Sequence, residues 1–143
     1  MQISDDRIAH MHGVAEYMYK HAADYNLDPE EMYLLGLLHD IGYLEGRIMH
    51  AQHGAAILKK IKLPHKYQIA VEHHGDILKE KDHPSPELML LIEADMHVIP
   101  GSSKEVSYHD RLEEIAERHG IEGKAYRICA ANIRYLTEHG RRL

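Results

Sequence analysis

The sequence has no Phe, no Trp and a single cysteine, Cys129. Without Phe or Trp, a core has to be built from aliphatic side chains, with nine Tyr and seven Met as the larger fillers. One cysteine excludes an intramolecular disulfide framework and the paired-cysteine spacing of zinc fingers. This cysteine usage fits a reducing compartment, so we expect a cytoplasmic protein.

Charge and hydropathy argue against two further classes of protein. The chain carries 17 Lys plus Arg against 23 Asp plus Glu, a formal net charge of −6, and it has no basic run. Binding to a nucleic acid through its phosphates is therefore not expected. The first ten residues, MQISDDRIAH, lack the apolar stretch of a signal peptide, and no apolar run is long enough for a membrane span. We expect neither nucleic acid nor a membrane as a partner.

Length and periodicity predict one all-α domain over residues 1–143. Apolar residues recur at helical spacing, and no segment alternates convincingly with period two. Asp28, Pro29 and Glu31 form a strong helix start, with Asp28 as the cap. We expect a single compact bundle of six or seven short helices. Their expected bounds are about 4–26, 28 to 42 or 46, 50–61, 65–74, 86–100, 108–119 and 123–139, with a polar loop over 75–86.

Histidine is the residue type in excess, with 14 copies in 143 residues. It is the commonest metal ligand and the side chain that titrates nearest pH 7. A histidine-rich helical surface would give the same composition, so the positions of the histidines have to decide between a surface and a site.

His39 and Asp40 are the two polar residues in the otherwise apolar segment 33–44. An unpaired carboxylate or imidazole is costly to bury, so both groups need partners there. One interpretation is an ordinary buried ion pair. The other is a metal site, and further polar residues in apolar surroundings are needed to favour it.

The same pattern recurs at Asp95 and His10. Asp95 lies three and four residues after Ile92 and Leu91, so its carboxylate is expected to point toward the packed side of its helix. Glu93 is about 200° away around the helix and is expected to face solvent. His10 lies on the apolar stripe of the first helix.

Two more pairs of histidines lie at expected helix ends. His50 and His53 open one helix, one turn apart, and His73 and His74 close another. Together these positions supply five or six imidazoles and two carboxylates from different helices. Divalent metal binds such groups and turns their desolvation cost into coordination. So many ligands suit two ions bridged by a carboxylate and a water, and Asp40 is the natural bridge.

The order of these motifs resembles the HD-domain superfamily of metal-dependent phosphohydrolases, an all-α fold. The resemblance covers about residues 4–100, and the helices at about 107–140 look like the variable C-terminal part of that family. The motifs are RIAHMHGVA around His10, GLLHDIG around His39 and Asp40, HAQHGAA from His50, IAVEHHG with His73 and His74, and EAD ending at Asp95.

The resemblance also implies roles for these residues. It assigns the first metal to His10, His39, Asp40 and Asp95, and the second metal to His50 together with His73 or His74. It favours His50 over His53, because the third histidine of the family precedes a Gly-Ala pair by four residues. Asp6, one turn before His10, is a weak further candidate. We expect Asp40, His50 and His74 to form the catalytic centre.

The function implied is hydrolysis of a phosphate ester or anhydride of a nucleotide or other small molecule by a metal-activated water. The cofactors implied are divalent metal ions, two in number, with Fe, Mn, Mg, Ni and Zn as candidates. A homodimer is left open. The alternatives are a di-iron oxygenase on the same fold and a non-catalytic domain stabilised by metal.

The chain departs from the family at the residue after its HDIG motif. Tyr43 stands where many relatives have a Lys that binds phosphate. Another cation should then bind the outer phosphate oxygens. The sequence does not rank the candidates Arg47, Lys79, Lys81, Lys104 and Arg111.

Overall fold

The computed structural model describes residues 3–79 and 83–140, without the side chain of residue 79. The predicted all-α architecture is confirmed, because the described residues contain one isolated bridge, between Val98 and Glu105, and no strand. None of the described helices is long and apolar enough to cross a membrane. The helices are α1 Asp5–His21, α2 Pro29–Leu38, α3 His50–Lys60, α4 His65–His73, α5 Pro86–His97, α6 Tyr108–His119 and α7 Lys124–His139.

Side-chain caps fix several helix starts where the sequence predicts them. Ser4 Oγ accepts a hydrogen bond from the backbone N–H of Arg7 at 3.2 Å, and Asp28 Oδ2 accepts one from that of Glu31 at 2.9 Å. Each bond satisfies a backbone donor that the first helical turn leaves without an intrahelical partner. The starts of α1 and α2, and so the position of His10 within α1, follow from these caps.

Helix α2 ends sooner than the sequence predicts. It stops at Leu38, and a 3₁₀ turn, Ile41–Glu45, follows after His39 and Asp40. The predicted helix to residue 42 or 46 is therefore wrong. The break lets the backbone of Gly42 lie directly on the first turn of α3, where a Cβ on Gly42 would be only 1.7 Å from the carbonyl oxygen of His50.

Helix α5 is the centre of the bundle and contacts α1, α2, α4, α6 and α7. Residues 87–94 of this helix are all buried. The prediction that Glu93 faces solvent is therefore wrong: only 3% of the residue is exposed. Tyr17 and Tyr25 donate hydrogen bonds to its carboxylate at 2.6 and 2.9 Å. Residues 87–94 are packed on all sides, so this part of α5 has no solvent face for Glu93 to occupy.

Candidate metal centre

Six of the predicted ligand residues meet where several helices end. Each helix brings its side chain in at, or just beyond, one end, except α1, which contributes from its interior. All six side chains are at least half-buried. These residues are His10 on α1, His39 and Asp40 after α2, His50 at the start of α3, His74 after α4 and Asp95 near the end of α5.

One oxygen of Asp40 faces the first set of these side chains. Its Oδ2 lies 3.1 Å from His39 Nε2 and 3.8 Å from His10 Nε2. Asp95 completes this set, since its Oδ1 lies 2.8 Å from His10 Nε2 and 3.6 Å from His39 Nε2. These are the four residues that the sequence analysis assigns to a first metal.

The other oxygen of Asp40 faces a second set. Its Oδ1 lies 3.4 Å from His74 Nε2 and 3.6 Å from His50 Nε2. One buried carboxylate thus lies between two groups of imidazoles, one group at each oxygen. The ligand atoms of Asp40, His50 and His74 all lie within 4.8 Å of one another, and so do those of His10, His39 and Asp40. The ligand atoms of His39, His74 and Asp95 also lie within this distance, so the two groups adjoin.

Backbone hydrogen bonds orient two of the imidazoles. The Nδ1 atom of His39 lies 2.6 Å from the carbonyl oxygen of Gly36, and that of His74 lies 2.6 Å from the carbonyl oxygen of Val71. A carbonyl oxygen can only accept, so Nδ1 carries the hydrogen in both rings and donates it. Each ring is thereby fixed with Nε2 toward Asp40, which is the orientation that metal-binding histidines adopt.

The imidazoles and carboxylates in this cluster stabilise each other's charged forms. Burial lowers the pKa of His39, but Asp40 and Asp95 outweigh burial and raise that pKa from 6.5 to about 10. Burial raises the pKa of each carboxyl group, yet the adjacent imidazoles hold both pKa values well below the usual range. Without metal, His39 is therefore protonated and both carboxylates are ionised at neutral pH.

The donor set fits divalent metal. His39 Nε2 is buried and has no hydrogen-bond partner among the described residues, although it lies close to two carboxylates. A buried nitrogen of this kind needs either a proton shared with a carboxylate or a metal ion. Imidazole and carboxylate groups in this number are ligands for first-row divalent metals.

Two histidines that the sequence analysis also considered lie elsewhere. His73 belongs to none of the ligand groups, and its Nε2 lies 3.7 Å from Glu72 Oε2. His53 is exposed on α3, one turn after His50. Asp6 is also exposed and lies beside Gly101. Within each neighbouring pair, the structure brings His50 and His74 to Asp40.

The candidate phosphate-binding cations are spread over the molecule. Arg111 is buried and donates a hydrogen bond to Glu114 at 2.5 Å. Arg47 and Lys104 are exposed. The Lys79 side chain and Lys81 lie outside the described residues.

The sequence analysis missed the cation that does reach the cluster, which is Arg7. Its NH1 group donates a hydrogen bond to Asp40 Oδ2 at 3.2 Å, and its side chain is 25% exposed. Arg7 precedes His10 by three residues on α1, so the two side chains share a helix face. The spacing of three residues from His10 was the feature of the sequence that could have indicated Arg7 as a residue of the site.

Comparison with known protein families gives one finding. The family model of the HD domain matches residues 7–124. The chain belongs to the HD domain family. No curated protein and no solved structure matches the chain significantly. The match extends from Arg7 into the start of α7, so it includes all six clustered residues as well as α6. Membership of this family, whose members are mostly metal-dependent hydrolases, agrees with clustered His and Asp side chains that could bind metal.

Proposed function

We propose that this HD domain is a phosphohydrolase that uses two divalent metal ions to hydrolyse a phosphate ester or anhydride of a nucleotide or other small molecule. The observation that carries the proposal is the position of Asp40. Its two oxygens each lie nearest to a different pair of imidazoles, at 3.1 to 3.8 Å. A carboxylate between two ligand sets is the arrangement that a pair of closely spaced ions requires.

The proposed ligand sets follow from these distances. His10, His39 and Asp95 would hold one ion on the Oδ2 side of Asp40, and His50 and His74 would hold the other on the Oδ1 side. Bound in this way, the ions would lower the pKa of a water between them and neutralise charge on the phosphoryl group.

The protein's own contribution is to hold the geometry. Because His39 and His74 are fixed by hydrogen bonds to backbone carbonyls, their Nε2 atoms need no reorganisation to act as ligands. Asp40 is buried, so its spacing between the two sets is set by packing. We propose Asp40, His50 and His74 as the catalytic centre, because His50 is the more exposed side of the cluster and lies where a substrate can approach.

Arg7 is the proposed phosphate-binding residue. Its guanidinium lies at the cluster, is partly exposed and has Asp40 as its partner. When Asp40 acts as a ligand, that pairing is weakened, and the guanidinium can bind two oxygens of a phosphate at once. Arg7 would thereby take the phosphate-binding role in a chain that has Tyr43 in place of a lysine.

The substrate is proposed to be a small molecule. The chain has a net charge of −6 and no basic run, so the positive charge that attracts a phosphate has to come from Arg7 and the metal ions. Such a local charge suits one phosphate group or a short chain of phosphates better than a nucleic-acid strand.

A screen of phosphate monoesters, diesters and nucleotides with added Mn²⁺ tests the proposal. Turnover by the wild type should fall at least about 100-fold in Asp40→Asn. Arg7→Gln should raise KM for the best substrate, whereas Arg47→Gln, in an exposed arginine, should not. If no phosphate compound is hydrolysed by the metal-loaded protein, the proposal is wrong. Oxygen-dependent turnover with bound iron would favour an oxygenase, and metal-dependent stability without turnover would favour a structural role.

A further inference from the structure

The ring of Tyr43 contacts two residues of the cluster. The guanidinium carbon of Arg7 lies over this ring, 4.3 Å from its centre. The imidazole of His50 stacks on it with the ring centres 4.4 Å apart and the planes inclined by 30°. Both contacts are within the range of favourable cation–π and stacking interactions.

These two neighbours of Tyr43 engage the same carboxylate from different sides. Arg7 NH1 lies 3.2 Å from Asp40 Oδ2, and His50 Nε2 lies 3.6 Å from Asp40 Oδ1. The ring of Tyr43 is therefore connected to the carboxylate of Asp40 twice, once through Arg7 and once through His50. A shift of this ring would displace Arg7 at one oxygen of Asp40 and His50 at the other.

The backbone holds Tyr43 in this place. Its N–H donates a hydrogen bond to the carbonyl oxygen of Asp40 at 3.0 Å, and its own carbonyl accepts one from Gly46 at 3.1 Å. The preceding residue, Gly42, lies directly against the carbonyl of His50. The short turn thus fixes the ring relative to both Asp40 and the start of α3.

We propose that Tyr43 is a positioning residue, whose aromatic ring holds Arg7 at one oxygen of Asp40 and His50 at the other. The proposal deepens the proposed function and rests on it for the roles of Arg7 and His50. The aromatic ring of Tyr43 makes both contacts, the one with Arg7 and the one with His50. Its hydroxyl has no hydrogen bond among the described residues. Phe at position 43 should therefore preserve the positions of Arg7 and His50, and an aliphatic residue should not.

Binding of two probes to purified protein tests this proposal without any turnover. Mn²⁺ alone is titrated into EDTA-treated protein, and inorganic phosphate is titrated into the Mn²⁺-loaded protein. The variants are Tyr43→Phe and Tyr43→Leu, with Tyr33→Leu as a matched control, since Tyr33 is half-buried on α2 and its ring contacts Tyr19. Tyr43→Met replaces the Leu variant if that variant does not fold.

The expected result separates ring from hydroxyl. Tyr43→Phe and Tyr33→Leu should bind both probes as the wild type does. Tyr43→Leu should weaken the weaker Mn²⁺ equivalent by roughly 10-fold, as expected when a group that orients a metal ligand is lost. Tyr43→Leu should also weaken the binding of inorganic phosphate by about 3- to 30-fold, the range expected for the loss of a cation–π contact.

A double-mutant cycle with Arg7 distinguishes positioning from general packing. If Tyr43 acts on phosphate through Arg7, then Tyr43→Leu should weaken phosphate binding no further in an Arg7→Gln background. Wild-type binding by Tyr43→Leu, equal damage in Tyr43→Phe, or independent effects in the cycle would each overturn the proposal. Failure of the phosphohydrolase proposal would look different, as tight Mn²⁺ and phosphate binding without hydrolysis of any ester.

Discussion

The Nε2 atom of His74 lies 3.4 Å from Asp40 Oδ1, whereas His39 lies beside the other oxygen of the same carboxylate. His39 and His74 are equivalent in another respect, since each follows the last residue of a helix and donates from Nδ1 to the carbonyl three residues earlier. Two helix ends thus present similarly oriented imidazoles to one carboxylate. This relationship makes Asp40 the centre of the site and leads to predictions in which a neighbouring histidine is the control.

Replacement of His74 should remove one ion, and replacement of its neighbour His73 should not. In His74→Ala the Oδ1 side of Asp40 loses its buried imidazole, so we expect the Mn²⁺ content after loading and desalting to fall by about one equivalent. His73→Ala should retain the wild-type content, since His73 lies outside the ligand groups. Elemental analysis of both proteins measures this. The reverse pattern would exchange the two assignments.

The same comparison applies to His50 and His53 on α3. His50→Ala should weaken the ion on the Oδ1 side of Asp40 by about 10- to 100-fold and reduce hydrolysis with it. The exposed His53 lies one turn further along the same helix, so His53→Ala is the matched control for helix stability. Calorimetric titration with Mn²⁺ gives both affinities. Equal losses in the two variants would mean that His50 has no special role.

Gly42 should be intolerant of any side chain. A Cβ there would lie 1.7 Å from the His50 carbonyl oxygen and 2.6 Å from the Gly54 nitrogen, both backbone atoms that cannot move aside cheaply. We expect Gly42→Ala to lower the free energy of unfolding by about 1–3 kcal/mol and to weaken metal binding through the displaced His50. Gly75→Ala is the control, because nothing lies within 4 Å of its Cβ position. Urea unfolding measures the stability of both variants. Equal free energies of unfolding for Gly42→Ala and Gly75→Ala would contradict this packing.

The stability of the metal-free protein should depend on pH through Asp40 and His39. The pKa of His39 is raised from 6.5 to about 10, because the nearby carboxylates outweigh burial. This contribution is complete below pH 6.5 and is lost as the pH rises toward 10. Burial raises the pKa of Asp40, but His39 and His74 together outweigh burial and lower that pKa from 3.8, so its contribution is complete above that pH and is lost as the pH falls.

The two contributions share the contact between His39 and Asp40, so they are present together in a window of pH. In EDTA, the stability advantage of the wild type over Asp40→Asn should be largest between roughly pH 4 and pH 6.5 and should shrink on either side. Thermal unfolding of both proteins across this range provides the measurement. An advantage that does not vary with pH would show that the pair is not ionised in the folded protein.

Part of the site could be predicted from sequence because its residues break a local pattern. His39 and Asp40 are polar residues in an apolar segment, Asp95 is one on an apolar helix face, and burial without partners would be costly. The recurrence of such residues in distant segments of the chain is what indicates a shared site. The choice between His73 and His74 could not be made in this way, because adjacent residues at a helix end differ only in the direction that the last turn gives them.

Glu93 and Arg7 show what local patterns leave out. A period of 3.6 residues tells which side chains share a face but not how many faces are covered, so Glu93, in the buried stretch 87–94 of α5, was wrongly expected in solvent. Arg7 precedes the metal motifs of the chain, one turn before His10, whereas all the candidate cations named from the sequence follow Asp40. Which cation reaches Asp40 depends on the tertiary packing of α1 against the turn after α2.

The metal content per chain tests the central claim, a pair of ions that share Asp40, most directly. Elemental analysis should be carried out on the wild type and on Asp40→Asn, each as purified and after loading with Mn²⁺. The account predicts about two equivalents in the loaded wild type and a loss of metal in the variant, with the fold retained by circular dichroism. A wild-type protein that binds no metal under any loading condition would contradict the account.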